Sequence, residues 1–157
     1  MNTKVTIENI KSGKEDFIDL LLIADPSREL VMKYLLQGEL LILRNGSEII
    51  CGSIIIFDGT TAEIKNISTY PSYQKQGYGK IMMDYIIETY KNEGDIILGT
   101  GKTGIPEKEF YQLKFYHKCG FVETHVIKNF FINNYPEPIY EDNGEQCIDM
   151  VYLKYKK

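Results

Sequence analysis

A glycine-containing loop between a strand pattern and a helix pattern is the feature that most constrains the fold of this chain. The loop covers residues 69–80 and reads TYPSYQKQGYGK. Residues 61–68 before it have the composition of a strand, and residues 81–87 after it are amphipathic, as in a helix. Glycines at a helix start let successive backbone N–H groups point outward, where the helix dipole adds positive potential. The segment therefore predicts a strand–loop–helix unit that can hold a pyrophosphate.

Size and charge narrow the class of protein. A chain of 157 residues is long enough for one domain with a real core, so we expect a single domain over residues 1–157. The net charge of -4 argues against general binding to nucleic acid or to an anionic membrane. No apolar run is long enough to span a bilayer, and the first residues lack the apolar stretch of a secretion signal.

The cysteines and histidines predict no metal site. Cys51, Cys119 and Cys147 are an odd number without metal-ligand spacing, and His117 and His125 have no ligand partner at metal spacing. The economical interpretation of the three cysteines is buried thiols in a reducing cytoplasm.

Periodicity and turn residues predict an α+β fold with a mixed, mostly antiparallel sheet flanked by helices. The expected strands are residues 5–7, 40–43, 49–57, 61–69, 95–98, 121–131 and 148–154. The expected helices are residues 17–24, 28–37, one from the glycine loop to about residue 92, and 107–118. A long loop around Pro136 and Pro138 separates the last two strands.

The glycine loop also resembles a known motif. It fits the pattern Gln/Arg-x-x-Gly-x-Gly/Ala, with Gln74, Gly77 and Gly79 at the defining positions. This pattern is similar to the acyl-CoA motif of the GNAT superfamily of N-acetyltransferases. Glu63 precedes the loop at the spacing at which this family carries a glutamate general base on its fourth strand, and Tyr70-Pro71 resembles the turn that often ends that strand.

A second segment supports the resemblance. Residues 115–121 read FYHKCGF and resemble the family's Phe-Tyr-x-x-x-Gly-Phe helix ending. The order of predicted elements also matches the GNAT fold, so the resemblance covers essentially the whole chain. It implies a bacterial-type N-acetyltransferase, for small molecules or proteins, with acetyl-CoA as the acetyl donor and no metal.

The resemblance assigns roles to individual residues. It places the pantetheine arm of coenzyme A beside Ile67, Ser68 and Thr69, with the N–H of Ile67 polarising the thioester carbonyl. It makes Glu63 the candidate general base and Tyr116 the candidate acid that protonates the departing thiolate. The alternatives are a solvated glutamate paired with Lys65 and a half-buried packing aromatic. The residues expected to hold the pyrophosphate are Gln74, Lys75, Gln76, Gly77, Tyr78, Gly79 and Lys80.

These roles together predict transfer of an acetyl group to a primary amine by direct attack in a ternary complex. A non-catalytic acyl-CoA-binding module is the main alternative. A dinucleotide-binding oxidoreductase is another, because residues 99–104 read GTGKTG and match G-x-G-x-x-G after a strand. Pro106 interrupts before the helix, however, and the segment does not open a βαβ unit; in the GNAT interpretation it is the loop after the fifth strand, with Lys102 near a phosphate of coenzyme A.

The loop over residues 129–146 is rich in aromatic and acidic side chains. They are Phe130, Phe131, Tyr135, Glu137, Tyr140, Glu141, Asp142 and Glu145. Together with Tyr111 they predict a wall for a cationic amine. A solvated insertion or a contact in a homodimer explains the same composition equally well.

Overall fold

The structure, a computed structural model, describes residues 4–103, 110–141 and 144–157. It divides into two compact units, Met1–Ile96 and Ile97–Lys157. Each unit has its own antiparallel strands and helices, as an α+β chain requires. The expectation of a single domain over the whole chain stays a prediction.

Four antiparallel strands form the sheet of the first unit, in the order β1-β2-β3-β4. They are β1 (Val5–Ile10), β2 (Glu39–Asn45), β3 (Glu48–Phe57) and β4 (Thr61–Thr69). Gly46 and Gly59 have positive φ angles of 61° and 96° at the two predicted hairpin turns. The turn residues therefore fix which strands pair.

Two helices precede β2. After a 3-10 turn at Lys14–Phe17, α1 covers Ile18–Leu21 and α2 covers Arg28–Gln37. α2 has the predicted bounds, because the Ser27 Oγ accepts the Leu30 N–H at 3.2 Å and the chain leaves the helix at Gly38. The predicted helix over residues 17–24 is too long: Phe17 ends the 3-10 turn, only Ile18–Leu21 is α-helical, and residues 22–24 form a turn.

α3 covers Tyr78–Tyr90 and packs against β3 and β4. Its buried face consists of Met82, Met83, Ile86, Ile87 and Tyr90. Residues of α1 and α2 form a separate buried cluster with Leu40, Ile42 and Ile54 of the sheet. The sheet that contains β4 is therefore packed against α3 and, through a separate cluster, against α1 and α2.

The second unit contains most of β5 and everything after it. Its strands β5 (Asp95–Lys102), β6 (Phe121–Ile127) and β9 (Asp149–Tyr155) are antiparallel in the order β5-β9-β6. α4 covers Tyr111–Lys118, α5 covers Phe130–Asn134, and β7 (Ile139–Tyr140) pairs with β8 (Gln146–Cys147).

Two predicted boundaries in this unit were wrong. β5 runs through Gly99 and Gly101 to Lys102, where the sequence predicted a loop after residue 98. These glycines make room for neighbours: a Cβ on Gly101 would lie 2.1 Å from the Cys147 Sγ, and one on Gly99 would lie 2.8 Å from the Met150 Sδ. Gly104 and Pro106 of the same motif lie outside the described residues.

The predicted strand over residues 121–131 ends early, at Ile127. Asn129 takes a left-handed conformation, with φ 59°, and its N–H donates to the Asp149 Oδ1 at 2.9 Å. A left-handed residue ends a strand, so Phe130 and Phe131 start a short helix instead. The predicted helix over residues 107–118 is observed from Tyr111 onward, and residues 107–109 are outside the described part.

None of the helices in the described part of the chain is long and apolar enough to cross a membrane.

Gly94 generates a stability prediction. A Cβ on this residue would lie 2.1 Å from the Thr60 carbonyl oxygen, which also accepts the Asp95 N–H at 3.1 Å. Because this backbone cannot shift without losing a hydrogen bond, Gly94→Ala should cost about 3 kcal/mol. The melting temperature should then fall by roughly 6–12 °C in a circular dichroism melt.

Gly46→Ala is the control, because a Cβ there meets nothing within 4 Å although φ is 61°. It should cost only the left-handed strain, about 1 kcal/mol, and so lower the melting temperature by roughly 2–4 °C. Equal shifts for the two variants would contradict the steric account of Gly94.

Candidate active site

Buried and more accessible side chains alternate along β4. Ala62, Ile64, Asn66 and Ser68 are buried, whereas Glu63, Lys65, Ile67 and Thr69 are half-buried or exposed. Glu63 lies opposite Ile56 of β3 and Ile67 lies opposite Ser53, so the expectation that Glu63 and Ile67 share one face is wrong. The side chain of Ser68 points into the core, so only its backbone is available to a ligand.

A β-bulge interrupts β4 between Glu63 and Ile67. Ile54 pairs with Asn66 while Ile55 pairs with Ile64, so Lys65 has no opposite residue on β3. Bulges bend a strand and re-aim its side chains. Glu63 Oε2 lies 3.3 Å from the Lys65 Nζ, and the Glu63 side chain is 28% exposed. This carboxylate is accessible to solvent and carries a cationic neighbour.

The loop after β4 is braced by its own glutamines. The Gln74 Nε2 donates to the Thr69 carbonyl at 2.9 Å, and the Gln76 Nε2 donates to the Ser72 carbonyl at 2.9 Å. These side chains close the loop on itself. The sequence placed Gln74 and Gln76 among the residues that bind a ligand, and this geometry gives their side chains the task of shaping the loop.

Tyr73 braces the loop from outside. Its hydroxyl donates to Glu48 at the start of β3, and its ring meets Tyr78 edge-on with centroids 5.9 Å apart. The hydrogen bond to the carboxylate raises the pKa of Tyr73. The hairpin of β2 and β3 and the first residue of α3 are thereby connected through one aromatic ring.

Two left-handed residues shape the loop backbone. Lys75 has φ 62° and Gly77 has φ 91°. Left-handed residues interspersed with ordinary ones turn successive N–H groups toward one side and create a concavity that suits an anion. A Cβ on Gly77 would meet nothing within 4 Å. The glycine is therefore required by the backbone conformation, and the space above it is open.

The N-terminus of α3 follows directly and has no side-chain cap. Gly77 is the N-cap residue without a side-chain hydrogen bond, and the first helical bond runs from the Ile81 N–H to the Gly77 carbonyl at 3.2 Å. The N–H groups of Tyr78 and Gly79 lie before that bond, where a helix leaves its donors without internal partners. These donors and the positive end of a 13-residue helix can hold a phosphate group there.

Cys51 lies opposite Thr69 on the neighbouring strand and is fully buried. Burial raises the pKa of this thiol to about 11, against the opposing effect of a hydrogen bond with the Thr69 side chain. The thiolate is the nucleophilic form of cysteine, so Cys51 is a poor acyl acceptor at neutral pH.

Tyr116 lies in the second unit, in α4. It is 8% exposed, its ring centroid is 5.4 Å from that of Phe115, and it meets Phe121 edge-on at 6.3 Å. The aromatic ring is part of the core of this unit. Its candidate role as an acid stays a prediction.

A charged group in the second unit escaped the sequence analysis. The Lys102 Nζ lies 3.5 Å from one oxygen of Glu123, and the His117 Nε2 lies 3.1 Å from the other. Lys102 was expected in a loop near a phosphate; it lies at the end of β5 and is held by this carboxylate. No spacing rule connects three residues on three different elements, so the pattern could not reveal the group.

The predicted loop over residues 129–146 contains regular structure in its first part, because α5 and β7 lie within residues 129–141. Phe131 stacks on Tyr135 with centroids 5.4 Å apart and meets Phe130 edge-on at 5.2 Å. Tyr111 and Tyr140 are more than 60% exposed. The aromatic side chains thus divide into a packed set and an exposed set, and Asp142 lies outside the described residues.

Within the described residues no group of histidine, cysteine or carboxylate side chains could hold a metal ion. All three cysteines are free thiols.

Comparison with known proteins agrees with this geometry. The profile of the acetyltransferase (GNAT) domain matches residues 37–123, which include β4, the loop and α3. The uncharacterized N-acetyltransferase YvbK of Bacillus subtilis is 39% identical over 154 residues, covering 96% of this chain and 95% of that protein.

Two solved structures are similar over nearly the whole chain. A GNAT family acetyltransferase of Elizabethkingia anophelis with acetyl-CoA bound has a TM-score of 0.87 and 38% identity, covering 99% of this chain and 100% of the other. A Bacillus subtilis acetyltransferase in complex with CoA has a TM-score of 0.85 and 36% identity, with 98% and 99% covered. The predicted GNAT fold is therefore confirmed.

A family profile over more than half of the chain and relatives of this identity leave no room for the dinucleotide-binding alternative. The chain belongs to the GNAT acetyltransferase family and is an acetyl-CoA-dependent N-acetyltransferase.

Proposed function

We propose that this enzyme acetylates a primary amine by direct attack of the amine on acetyl-CoA within a ternary complex. The observation that carries the proposal is the uncapped N-terminus of α3, preceded by left-handed Lys75 and Gly77 and joined by a short loop to β4. A strand that is followed, after residues 70–77, by an anion site suits one ligand that has both an extended arm and a pyrophosphate.

The cofactor residues follow from this arrangement. The backbone N–H groups from Lys75 to Lys80 receive the pyrophosphate. The pantetheine arm lies along the backbone of Ile67, Ser68 and Thr69, and the N–H of Ile67 polarises the thioester carbonyl. The buried side chain of Ser68 supports a role for its backbone alone.

Two residues manage the protons. Glu63, directly or through a water molecule, takes a proton from the bound ammonium, and the neutral amine attacks the thioester carbon. The C–S bond then breaks and the thiolate takes a proton from the Tyr116 hydroxyl; the amide nitrogen gives its second proton to water, and water reprotonates Tyr116. The solvent-accessible, half-buried position of Glu63 supports its contact with an incoming amine. The burial and raised pKa of Cys51 argue against a route through an acyl-cysteine at that residue.

For the acceptor we propose a small-molecule or peptide amine, bound against the aromatic and acidic side chains of residues 129–146. Exposed Tyr140 and half-buried Glu145 in this segment support contact with a cation. We place the reaction in the cytoplasm, which suits three free thiols. The same segment could instead form the contact of a homodimer. Sedimentation measures the oligomeric state with and without an amine and so distinguishes amine binding from a dimer contact.

The acceptor is found by a panel assay. Polyamines, amino acids, aminoglycosides and peptides are each incubated with acetyl-CoA, and the release of the coenzyme A thiol is followed. The amine with the fastest turnover then serves as the substrate for the variants below.

Thermal shifts test the cofactor site without any acceptor. A ligand that binds only the native state at a hundredfold excess over its Kd stabilises it by about 2.7 kcal/mol, so acetyl-CoA and CoA should each raise the melting temperature by roughly 5–10 °C. Gly77→Asp should abolish this shift, because it places a negative charge beside the proposed pyrophosphate.

Gly46→Asp is the matched control: it puts the same residue at another left-handed glycine with nothing within 4 Å, in the β2–β3 turn. This variant should keep the shift. The proposed cofactor site is wrong if Gly77→Asp melts cooperatively and still responds to CoA like the parent.

Glu63→Gln should lower turnover at neutral pH by about 10²–10⁴-fold, because an amide cannot accept the ammonium proton. The deficit should narrow as the pH rises, since more of the amine is then already neutral. The measurement is kcat against pH for parent and variant. A difference within about twofold at every pH, well below the effect of a general base, would remove Glu63 from this role.

Tyr116→Phe removes one hydroxyl and keeps the packing ring. If Tyr116 protonates the leaving thiolate, turnover should fall by about 10²-fold while the thermal shift with CoA is retained. Steady-state kinetics and melts of the same preparation check both. Parental turnover with a lowered melting temperature would leave Tyr116 a packing role only.

A further inference from the structure

The side of β4 that packs against α1 and α2 carries two polar side chains. Asn66 is 4% exposed and Ser68 is 3% exposed. Polar side chains are costly to bury unless every group finds a hydrogen-bond partner. Their contacts therefore indicate what they are for.

Asn66 connects β4 to both preceding helices. Its Nδ2 donates to the Leu21 carbonyl at the end of α1 at 2.9 Å and to the Tyr34 hydroxyl of α2 at 2.9 Å. The Ser68 Oγ donates to the Asn66 Oδ1 at 2.6 Å and reaches the same Leu21 carbonyl at 3.4 Å. The Asn66 side-chain amide thus connects β4 to both α1 and α2.

The hydrogen bonds continue to the start of α2. The Tyr34 hydroxyl, which accepts from Asn66, donates to the Asp25 Oδ2 at 3.2 Å. The Ser27 N–H donates to the Asp25 Oδ1 at 3.1 Å, and the Ser27 Oγ accepts the Leu30 N–H. We call this series, from Ser68 through Asn66, Tyr34 and Asp25 to Ser27, the buried relay.

The segment over residues 22–27 is held from both helices. The Ile23 N–H donates to the Leu20 carbonyl at 3.2 Å and the Asp25 N–H to the Leu21 carbonyl at 3.4 Å, which ties the segment to α1. The Asp25 side chain ties it to α2 and, through Tyr34, to β4. Groups anchored on β4 therefore contribute to the position of residues 22–27.

We propose that Asn66 is a positioning residue, which couples the binding of coenzyme A along β4 to the order of residues 22–27 and the N-terminus of α2. This rests on the proposed function, which places the pantetheine arm along Ile67–Thr69. Asn66 and Ser68 lie next to Ile67 on the same strand. A ligand that fixes the backbone at Ile67 fixes both side chains, and the relay carries that restraint to Ser27.

Amide hydrogen exchange of the whole protein, with and without CoA, tests the coupling. The Ser27 and Leu30 amides report on the far end of the relay, and the Tyr78–Ile81 amides report on the cofactor loop. In the parent, CoA should slow exchange at Ser27 and Leu30 by about fivefold, the low end of ordinary coupling between sites.

Tyr34→Phe keeps the ring and removes the hydroxyl that joins Asn66 to Asp25. It should leave the response of the loop amides unchanged and reduce the response at Ser27 and Leu30 to less than about twofold. Asn66→Leu should do the same. If Asn66→Leu fails to fold, Tyr34→Phe decides the question.

Ser53→Ala is the matched control. The Ser53 hydroxyl is also fully buried and donates to the Asn66 carbonyl at 2.7 Å, but it lies on β3 and outside the path to Asp25. It removes a buried hydrogen bond and should preserve the parental response at Ser27 and Leu30. A loss in this variant as well would show a general loosening of the core and overturn the relay.

The remaining outcomes separate the two proposals. If CoA protects the loop amides and the response at Ser27 and Leu30 is absent in the parent or intact in Tyr34→Phe, the relay is wrong and the cofactor site stands. If CoA protects no amide from Tyr78 to Ile81, the proposed cofactor site is wrong, and the relay falls with it.

Discussion

The two-residue period of β4 is the constraint on which the first unit depends. Both faces of this strand pack: Ala62, before the bulge, lies on the α3 side, and Asn66, after the bulge, contacts α1 and α2. The bulge at Lys65 makes this possible, because two residues of β4 there oppose one of β3 and the two faces exchange. A shift of pairing by one residue would turn Asn66 away from both helices. The polar groups of the core therefore act with the apolar ones to fix the register.

Backbone conformation, more than side-chain charge, gives the loop after β4 a shape that suits an anion. Lys80 lies 2.8 Å from Asp84, one turn further along α3, so part of the cationic charge near the helix start is offset. The donors that remain are N–H groups, whose direction is fixed by left-handed Lys75 and Gly77. Gln74 and Gln76 stabilise that shape from within. A chain with net negative charge can in this way hold an anion at one point.

The sequence predicted the first unit well because its signals are local. The cap at Ser27, the turn glycines and the alternation of residues 61–69 each act within a few positions, and the structure reproduces the elements they define. The glycines of β5 misled because their cause is not local: Gly101 is small to admit Cys147, which is 46 positions away in the chain. The early end of β6 has the same kind of cause, since Asp149 holds the turn at Asn129.

In the candidate site, too, local arrangements could be predicted from the sequence and long-range ones could not. Glu63 and the glycine loop belong to one strand–loop–helix segment, so their arrangement could be predicted from spacing. The relay joins β4, α2 and the segment over residues 22–27, and the only sequence signal was the presence of Asn66 and Ser68 at core positions of a strand. An apolar pair there would pack at lower desolvation cost but would leave the Leu21 carbonyl and the Tyr34 hydroxyl without these donors. Apolar contacts tolerate sliding, whereas hydrogen bonds specify distance and direction. The polar groups in this core therefore restrict the position of residues 22–27 relative to β4 more tightly than apolar packing alone would.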